Sequence, residues 1–225
     1  LHAAFFALGV GEGDEVIAPT LTFHATASPL KQLKALPILC DCEPETGNID
    51  PKDISKKINK KTKAIVITHL CGHPCEMDEI LDISKRNNIP LIEDCSHAHG
   101  SLYKNKRVGT FGQIGCFSMN NQKMLSAGES GILITDNQKL YERALLFSDF
   151  GPRLENEIKL KKYIKYRETG LGCKYRINPI SAVIALEKLK KLDFYIASRK
   201  QRLDYLSQGL LDIPGLSPPF TRDHV

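Results

Sequence analysis

The sequence predicts an α/β protein with a mostly parallel sheet flanked by helices, and three observations carry that prediction. Short apolar, β-branched runs alternate with longer polar segments of helical composition, the pattern of successive βα units. Several runs, Ala64-Ile65-Val66-Ile67 among them, are continuously apolar rather than alternating, as expected for strands covered on both faces. Finally, 225 residues that are 42% hydrophobic and 25% charged suffice for one large core, or for one domain and part of another.

The chain opens in a helical segment, residues 1–8, which Gly9 stops. No capping residue and no methionine stand before it, so the sequence reads as a piece of a longer protein. Strands are predicted at 15–18, 36–41, 64–68, 90–93, 115–118 and 131–135, where apolar residues run between turn-forming clusters. Helices are predicted at 26–34, 51–59, 77–87 and 138–147. Residues 151–178 are rich in glycine, proline and charge without a period, a connection long enough to be functional or mobile. Helical periodicity resumes over 180–192 and 194–211.

Composition excludes several function classes. The net charge of +5 is mild, and its densest stretch, Lys56-Lys57-Ile58-Asn59-Lys60-Lys61-Thr62-Lys63, falls where a helix ends and cations favour the dipole. No motif or aromatic interleaving supports nucleic-acid binding. No apolar run approaches the roughly 20 residues of a membrane span, and the N-terminus lacks a signal-peptide pattern. Seven cysteines, an odd number without a small-scaffold spacing, point to a reduced, cytoplasmic setting. His69, Cys71, His73 and Cys75, with Cys40 and Cys42 upstream, have residue types that suit zinc. Their spacing is no standard finger or ribbon, however, and Cys40 and Cys42 flank Asp41 on a strand where cysteine serves as a small hydrophobe. No metal is therefore expected, and a zinc-binding regulatory protein is the weakest reading.

Two positions carry the chemistry. Asp94 closes the apolar run Ile89-Pro90-Leu91-Ile92, and Lys123 lies between the strand ending at Ser118 and the turn Gly128-Glu129-Ser130-Gly131. In parallel α/β sheets ligands bind beyond the carboxyl ends of strands, so both residues can reach one crevice. A lysine that forms a Schiff base with an aldehyde, a carboxylate that keeps a ring nitrogen protonated, and a serine for a phosphate together suit pyridoxal phosphate.

The same residues, in order and spacing, resemble the DegT/DnrJ/EryC1/StrS family of sugar aminotransferases. The resemblance starts at Leu8-Gly9-Val10-Gly11-Glu12-Gly13-Asp14-Glu15-Val16-Ile17-Ala18-Pro19 and passes through Thr22-Phe23-His24-Ala25-Thr26, Ile92-Glu93-Asp94-Cys95-Ser96-His97-Ala98-His99-Gly100 and Gly109-Thr110-Phe111-Gly112. It is sharpest at Cys116-Phe117-Ser118, Lys123 and Gly128-Glu129-Ser130-Gly131, and it ends with Leu171-Gly172-Cys173-Lys174-Tyr175-Arg176-Ile177-Asn178-Pro179. It implies the type I pyridoxal-phosphate aminotransferase fold. Residues 1–178 would form the large cofactor-binding domain, and 179–225 the connecting helices and the start of a smaller C-terminal α/β domain.

It also implies roles. Lys123 would be the Schiff-base lysine and general base, Asp94 the partner of the pyridinium nitrogen, and His97 a contact to the phenolic oxygen where relatives often carry glutamine. Phe23 would stack on the ring, Ser118 would bind phosphate, and Lys174 would reach the partner subunit's phosphate where many relatives have asparagine. His99 is read as structural. A homodimer with shared active sites would take an amino group from an amino acid, L-glutamate, to a nucleotide-linked keto-sugar or a keto-cyclitol. Some relatives are dehydratases with histidine in place of the lysine, and Lys123 argues against that alternative. Relatives carry a Gly-Ser/Thr-Ala phosphate turn just before the helix matching residues 1–8, and a glycine at the Ser130 position, which matters if that position needs positive φ.

Overall fold

The computed structural model describes residues 1–170 and 172–222; Leu171 of the last matching motif and residues 223–225 of the C-terminal segment lie outside them. In chain order the elements are α1 (His2–Leu8), β1 (Glu15–Pro19), α2 (Ser28–Gln32), β2 (Leu36–Cys40), α3 (Pro51–Lys57), β3 (Thr62–Thr68), α4 (Met77–Asn87) and β4 (Leu91–Asp94). A small hairpin, β5 (Leu102–Tyr103) and β6 (Lys106–Arg107), leads to β7 (Ile114–Ser118), β8 (Gly131–Ile134) and α5 (Gln138–Ser148). The chain continues through α6 (Pro152–Glu157), α7 (Lys161–Ile164), α8 (Pro179–Leu189) and α9 (Leu192–Leu211).

Six strands form one sheet in the order β2-β1-β3-β4-β7-β8, parallel except for β8, which runs antiparallel to β7. The apolar runs are buried on both faces, as their lack of alternation predicts. Ile17, Ile65, Ile67 and Leu91 pack with Ile54, Met77, Ile80 and Ile83 of α3 and α4. Val16, Ala18, Val66, Ile92 and Ile114 point the other way, into Phe5, Leu30, Leu140 and Ala144 of α1, α2 and α5. Because successive residues alternate, neighbours on one strand serve opposite layers. That alternation later separates the roles of Glu93 and Asp94.

Local chemistry explains where predicted boundaries shift. Instead of one helix over 26–34, a 3-10 turn at His24–Thr26 precedes α2. Pro29 fits only a first turn, since it has no N–H to donate. Lys34 then enters the left-handed region at φ 57° and ends the segment. Predicted strand 36–41 stops at Cys40 because the Asp41 N–H is taken by the Asp53 carboxylate at 2.8 Å. The hairpin β5–β6 is too short to leave a pattern in the sequence. Within 151–178, α6 and α7 run only six and four residues, too few to show a period, yet Leu154, Ile158 and Tyr163 pack on Leu145 of α5. Glu142, buried beneath them, accepts from the Lys159 and Leu160 N–H groups at 2.9 and 3.0 Å.

Candidate active site

The carboxyl ends of β1, β3, β4 and β7 gather the polar residues of the sheet. Asp94, last on β4 and in register with Thr68 and Cys116, is 4% exposed. Its Oδ2 accepts from Thr26 Oγ1 at 2.8 Å, and its Oδ1 from the Ser96 N–H at 3.1 Å and Ser96 Oγ at 2.5 Å. Thr22 Oγ1 lies 2.8 Å from Thr26 Oγ1 and 3.0 Å from Thr68 Oγ1, so a hydroxyl chain backs the carboxylate. Charge-assisted bonds of this kind fix a carboxylate's plane while leaving lone pairs for a further donor.

Lys123 is held by its loop rather than by an ion pair. Its N–H donates to the Asn120 carbonyl at 2.9 Å, and Asn120 also ties Gln122 and Glu129, at 3.0 and 2.6 Å. Met119, Leu125 and Ala127 anchor that loop in a small core with Ala185 of α8. Gly128 takes the positive φ (81°), whereas Ser130 does not, so serine at the family's glycine position meets no backbone obstacle. Lys123 is half-buried, and its Nζ has no hydrogen-bond or ion partner among the described residues.

His97 is the link between the two charges. Burial, then the Lys123 charge, push its pKa below the ordinary value, and Asp94 pulls the other way. Its Nδ1 accepts from the Cys71 N–H at 3.3 Å. His99, 6% exposed, lies 5.6 Å from the Phe117 ring, and neither of its nitrogens has a partner of good geometry. Burial lowers its pKa foremost.

The remaining predicted residues are scattered more widely. Ser118 ends β7, and its Oγ accepts from the Asn120 N–H at 3.3 Å. Phe23 follows β1, 65% exposed, with the His24 ring beside it at 4.3 Å. Lys174 is exposed, its Nζ 5.7 Å from the Phe150 ring, on a segment that the Tyr175 N–H ties to the end of α5. A cavity of about 900 Å³ shares Ser96 and Ser118 with the site and extends beneath α8, but Asp94, His97 and Lys123 do not line it.

Several residues that sequence reasoning did not single out support the site. Glu93, fully buried, faces the α3–α4 layer, where its Oε2 accepts from His69 Nε2 at 3.1 Å and the Gly109 N–H at 2.6 Å. Its Oε1 accepts from the N–H groups of Phe111 and Gly112 at 2.7 and 2.6 Å. Burial disfavours the Glu93 charge, but His69 and these N–H groups outweigh it and hold the pKa below the usual value. Glycine at 115 is required, since a Cβ there would lie 2.3 Å from the Gly109 carbonyl. The visible signal for Glu93 was its place next to Asp94, on the opposite face of one strand.

The Cys/His set weighed for zinc does not converge. Among the described residues only His69, Glu93 and Cys95 bring ligand atoms within 4.8 Å. The Glu93 oxygens and both His69 nitrogens are already engaged, the latter through Glu93 and the Cys75 N–H at 3.1 Å, while burial pushes the Cys95 thiol up. That donor set is closed to an ion.

The DegT/DnrJ/EryC1/StrS aminotransferase family model matches residues 1–225. The chain belongs to this family. GDP-perosamine synthase of Escherichia coli O157:H7 is 40% identical over 210 residues, covering 93% of this chain and 56% of that protein. L-glutamine:scyllo-inosose aminotransferase of Streptomyces griseus is 36% identical over 215 residues, covering 95% and 51%. The crystal structure of 3-amino-5-hydroxybenzoic acid synthase superposes with a TM-score of 0.89 at 32% identity, covering all of this chain and 57% of that one. The fold is therefore the type I aminotransferase fold, and the chain spans about half the length of the relatives it matches. Pyridoxal phosphate is the cofactor of the family. The residues present fit it: a buried carboxylate braced on its protein side, a half-buried lysine whose amine has no partner among the described residues, and an imidazole that feels the charge of both.

Proposed function

We propose that this protein is the cofactor-binding part of an aminotransferase that moves an amino group from an amino acid, L-glutamate or its amide, to a ketone on a nucleotide-linked sugar or a cyclitol. The observation that carries this reading is the braced Asp94 carboxylate sharing one sheet end with the unpartnered Lys123 amine. Pyridoxal phosphate, when bound, supplies an aldehyde for amines and a ring that withdraws electrons when its nitrogen is protonated. Asp94 holds the proton at that nitrogen, its orientation set by Thr26 and Ser96. Lys123 Nζ carries a proton to and from the substrate carbon, work that suits an amine without a competing ion pair. His97 donates toward the ring's phenolic oxygen, Phe23 covers a ring face, and Ser118 gives a hydroxyl to the phosphate.

Lys174 and the homodimer belong to the same reading. In that reading the exposed Lys174 ammonium, beside the Phe150 ring, would serve a neighbouring subunit's site as a point charge on phosphate. Residues 1–178 would be the large domain, and 179–225 the bridge to a smaller one. A reducing cytoplasm suits seven unpaired thiols, four of them buried. No described helix is long and apolar enough to cross a membrane.

Borohydride treatment with pyridoxal phosphate, followed by peptide mapping, tests the reading. We expect the label on Lys123, and its loss in Lys123→Ala. Labelling elsewhere, with Lys123 unmodified, would sink the assignment.

A further inference from the structure

His97 has a partner that its sequence neighbourhood does not announce. After β3 the chain makes a tight turn, Leu70–Gly72, in which Cys71 takes φ 53° and ψ 16°, a left-handed conformation that side chains other than glycine and asparagine rarely adopt. That conformation aims the Cys71 N–H at His97 Nδ1, 3.3 Å away. A backbone N–H can only donate, so Nδ1 must accept and the neutral ring carries its proton on Nε2. No described group accepts from that Nε2–H. His69 offers an internal comparison: its Nδ1 likewise accepts a backbone N–H, from Cys75, and its Nε2 is engaged by Glu93.

The turn is built to hold this pose. Asn48, 1% exposed, accepts from the Leu70 N–H at 3.0 Å and donates to the His73 and Pro74 carbonyls at 3.0 and 3.1 Å. Ser101 Oγ donates to the Gly72 carbonyl at 2.7 Å, tying the turn to the loop that carries His97. A Cβ on Gly72 would come within 3.0 Å of the His97 carbonyl, so the two loops touch backbone to backbone. Strain kept in place by several bonds next to a candidate site is the form that preorganisation takes.

We propose that the Leu70–Gly72 turn, clamped by Asn48, is a positioning element that fixes His97 as an Nε2–H donor before the cofactor arrives. The inference rests on the reading above for what the donor meets, the phenolic oxygen of pyridoxal phosphate. Where relatives use glutamine, a side-chain amide presents an N–H without a tautomer to choose. Histidine does the same work only if something else selects the tautomer, and here the Cys71 N–H does so. Burial and the Lys123 charge, which favour the neutral imidazole, act in the same direction.

Long-range ¹H–¹⁵N NMR on histidine-labelled protein without cofactor tests the first half, with His97 assigned by the signal lost in His97→Gln. At mildly alkaline pH the expected pattern is a single Nε2–H tautomer. An Nδ1–H tautomer, or a mixture, would overturn the proposal. The second half is a double-mutant cycle read by pyridoxal phosphate titration. Asn48→Ala should weaken binding about three- to tenfold, as loss of one well-placed hydrogen bond does. In the His97→Gln background the same substitution should cost nothing further, since glutamine does not need the turn. Independent, additive losses would refute the coupling. If Asn48→Ala does not fold, the NMR result on the unaltered protein decides alone. Failure of every form to take up pyridoxal phosphate would strike the proposed function and leave the tautomer result standing.

Discussion

Replacing Thr26 by valine probes the Asp94 carboxylate on which the proposed function depends. Valine keeps the shape of threonine and removes only the hydroxyl, so the change isolates Oγ1. That oxygen donates to Asp94 Oδ2 at 2.8 Å and is 2.8 Å from Thr22 Oγ1. Thr26 is 1% exposed, and water has no route to replace the lost donor. A hydrogen bond to a charged group contributes about 1.5–3 kcal/mol. Because Ser96 still serves Oδ1 through two bonds, the lower part of that range applies, about 2 kcal/mol. For a chain of this size such a loss lowers Tm by roughly 4–8 °C. The same free energy, lost at the moment a ring nitrogen must find Asp94 in one orientation, would weaken pyridoxal phosphate binding by up to about thirtyfold. Urea unfolding and cofactor titration of Thr26→Val and Thr26→Ser measure both effects, and Ser should restore most of each. Thr26→Val within about 0.5 kcal/mol of the parent, with unchanged cofactor affinity, would refute the claim that Thr26 braces Asp94.

Two further outcomes follow from buried groups. Glu93→Gln puts an amide NH₂ where the carboxylate accepts four donors, and it should cost about 3–5 kcal/mol in urea unfolding; a loss under about 1 kcal/mol would show that the Gly109–Gly112 turn does not depend on the charge. His99 has a pKa pushed by burial below its ordinary 6.5, so the unfolded chain takes up the proton first as pH falls. Its contribution is fully present above about pH 6.5 and is lost as pH drops through the lowered value. Urea midpoints followed downward from neutral pH should fall less steeply in His99→Gln; equal slopes would exclude His99 as a source of the acid sensitivity.

The sequence by itself determined the layered α/β architecture and the family, because both rest on local signals. Unbroken apolar runs such as 64–67, bounded by turn-forming residues, are the pattern of two-faced strands, and a carboxylate that ends one of them can reach the crevice beyond the sheet. The order of Asp94, Ser118 and Lys123 along the chain was likewise readable. Tertiary structure alone decided which groups touch them. Thr26 and Asp94 are 68 positions apart, and Cys71 and His97 are 26 apart. No periodicity encodes a bond between the ends of different strands, since register and loop conformation place them. The placement of the Cys/His residues whose types suit zinc has the same origin: pairing put Glu93 against His69 and turned Cys71 toward His97 through its backbone rather than its sulfur. One strand's alternation then separated two adjacent carboxylates, Glu93 into a closed structural cage and Asp94 onto the opposite face, beside Thr26 and Ser96.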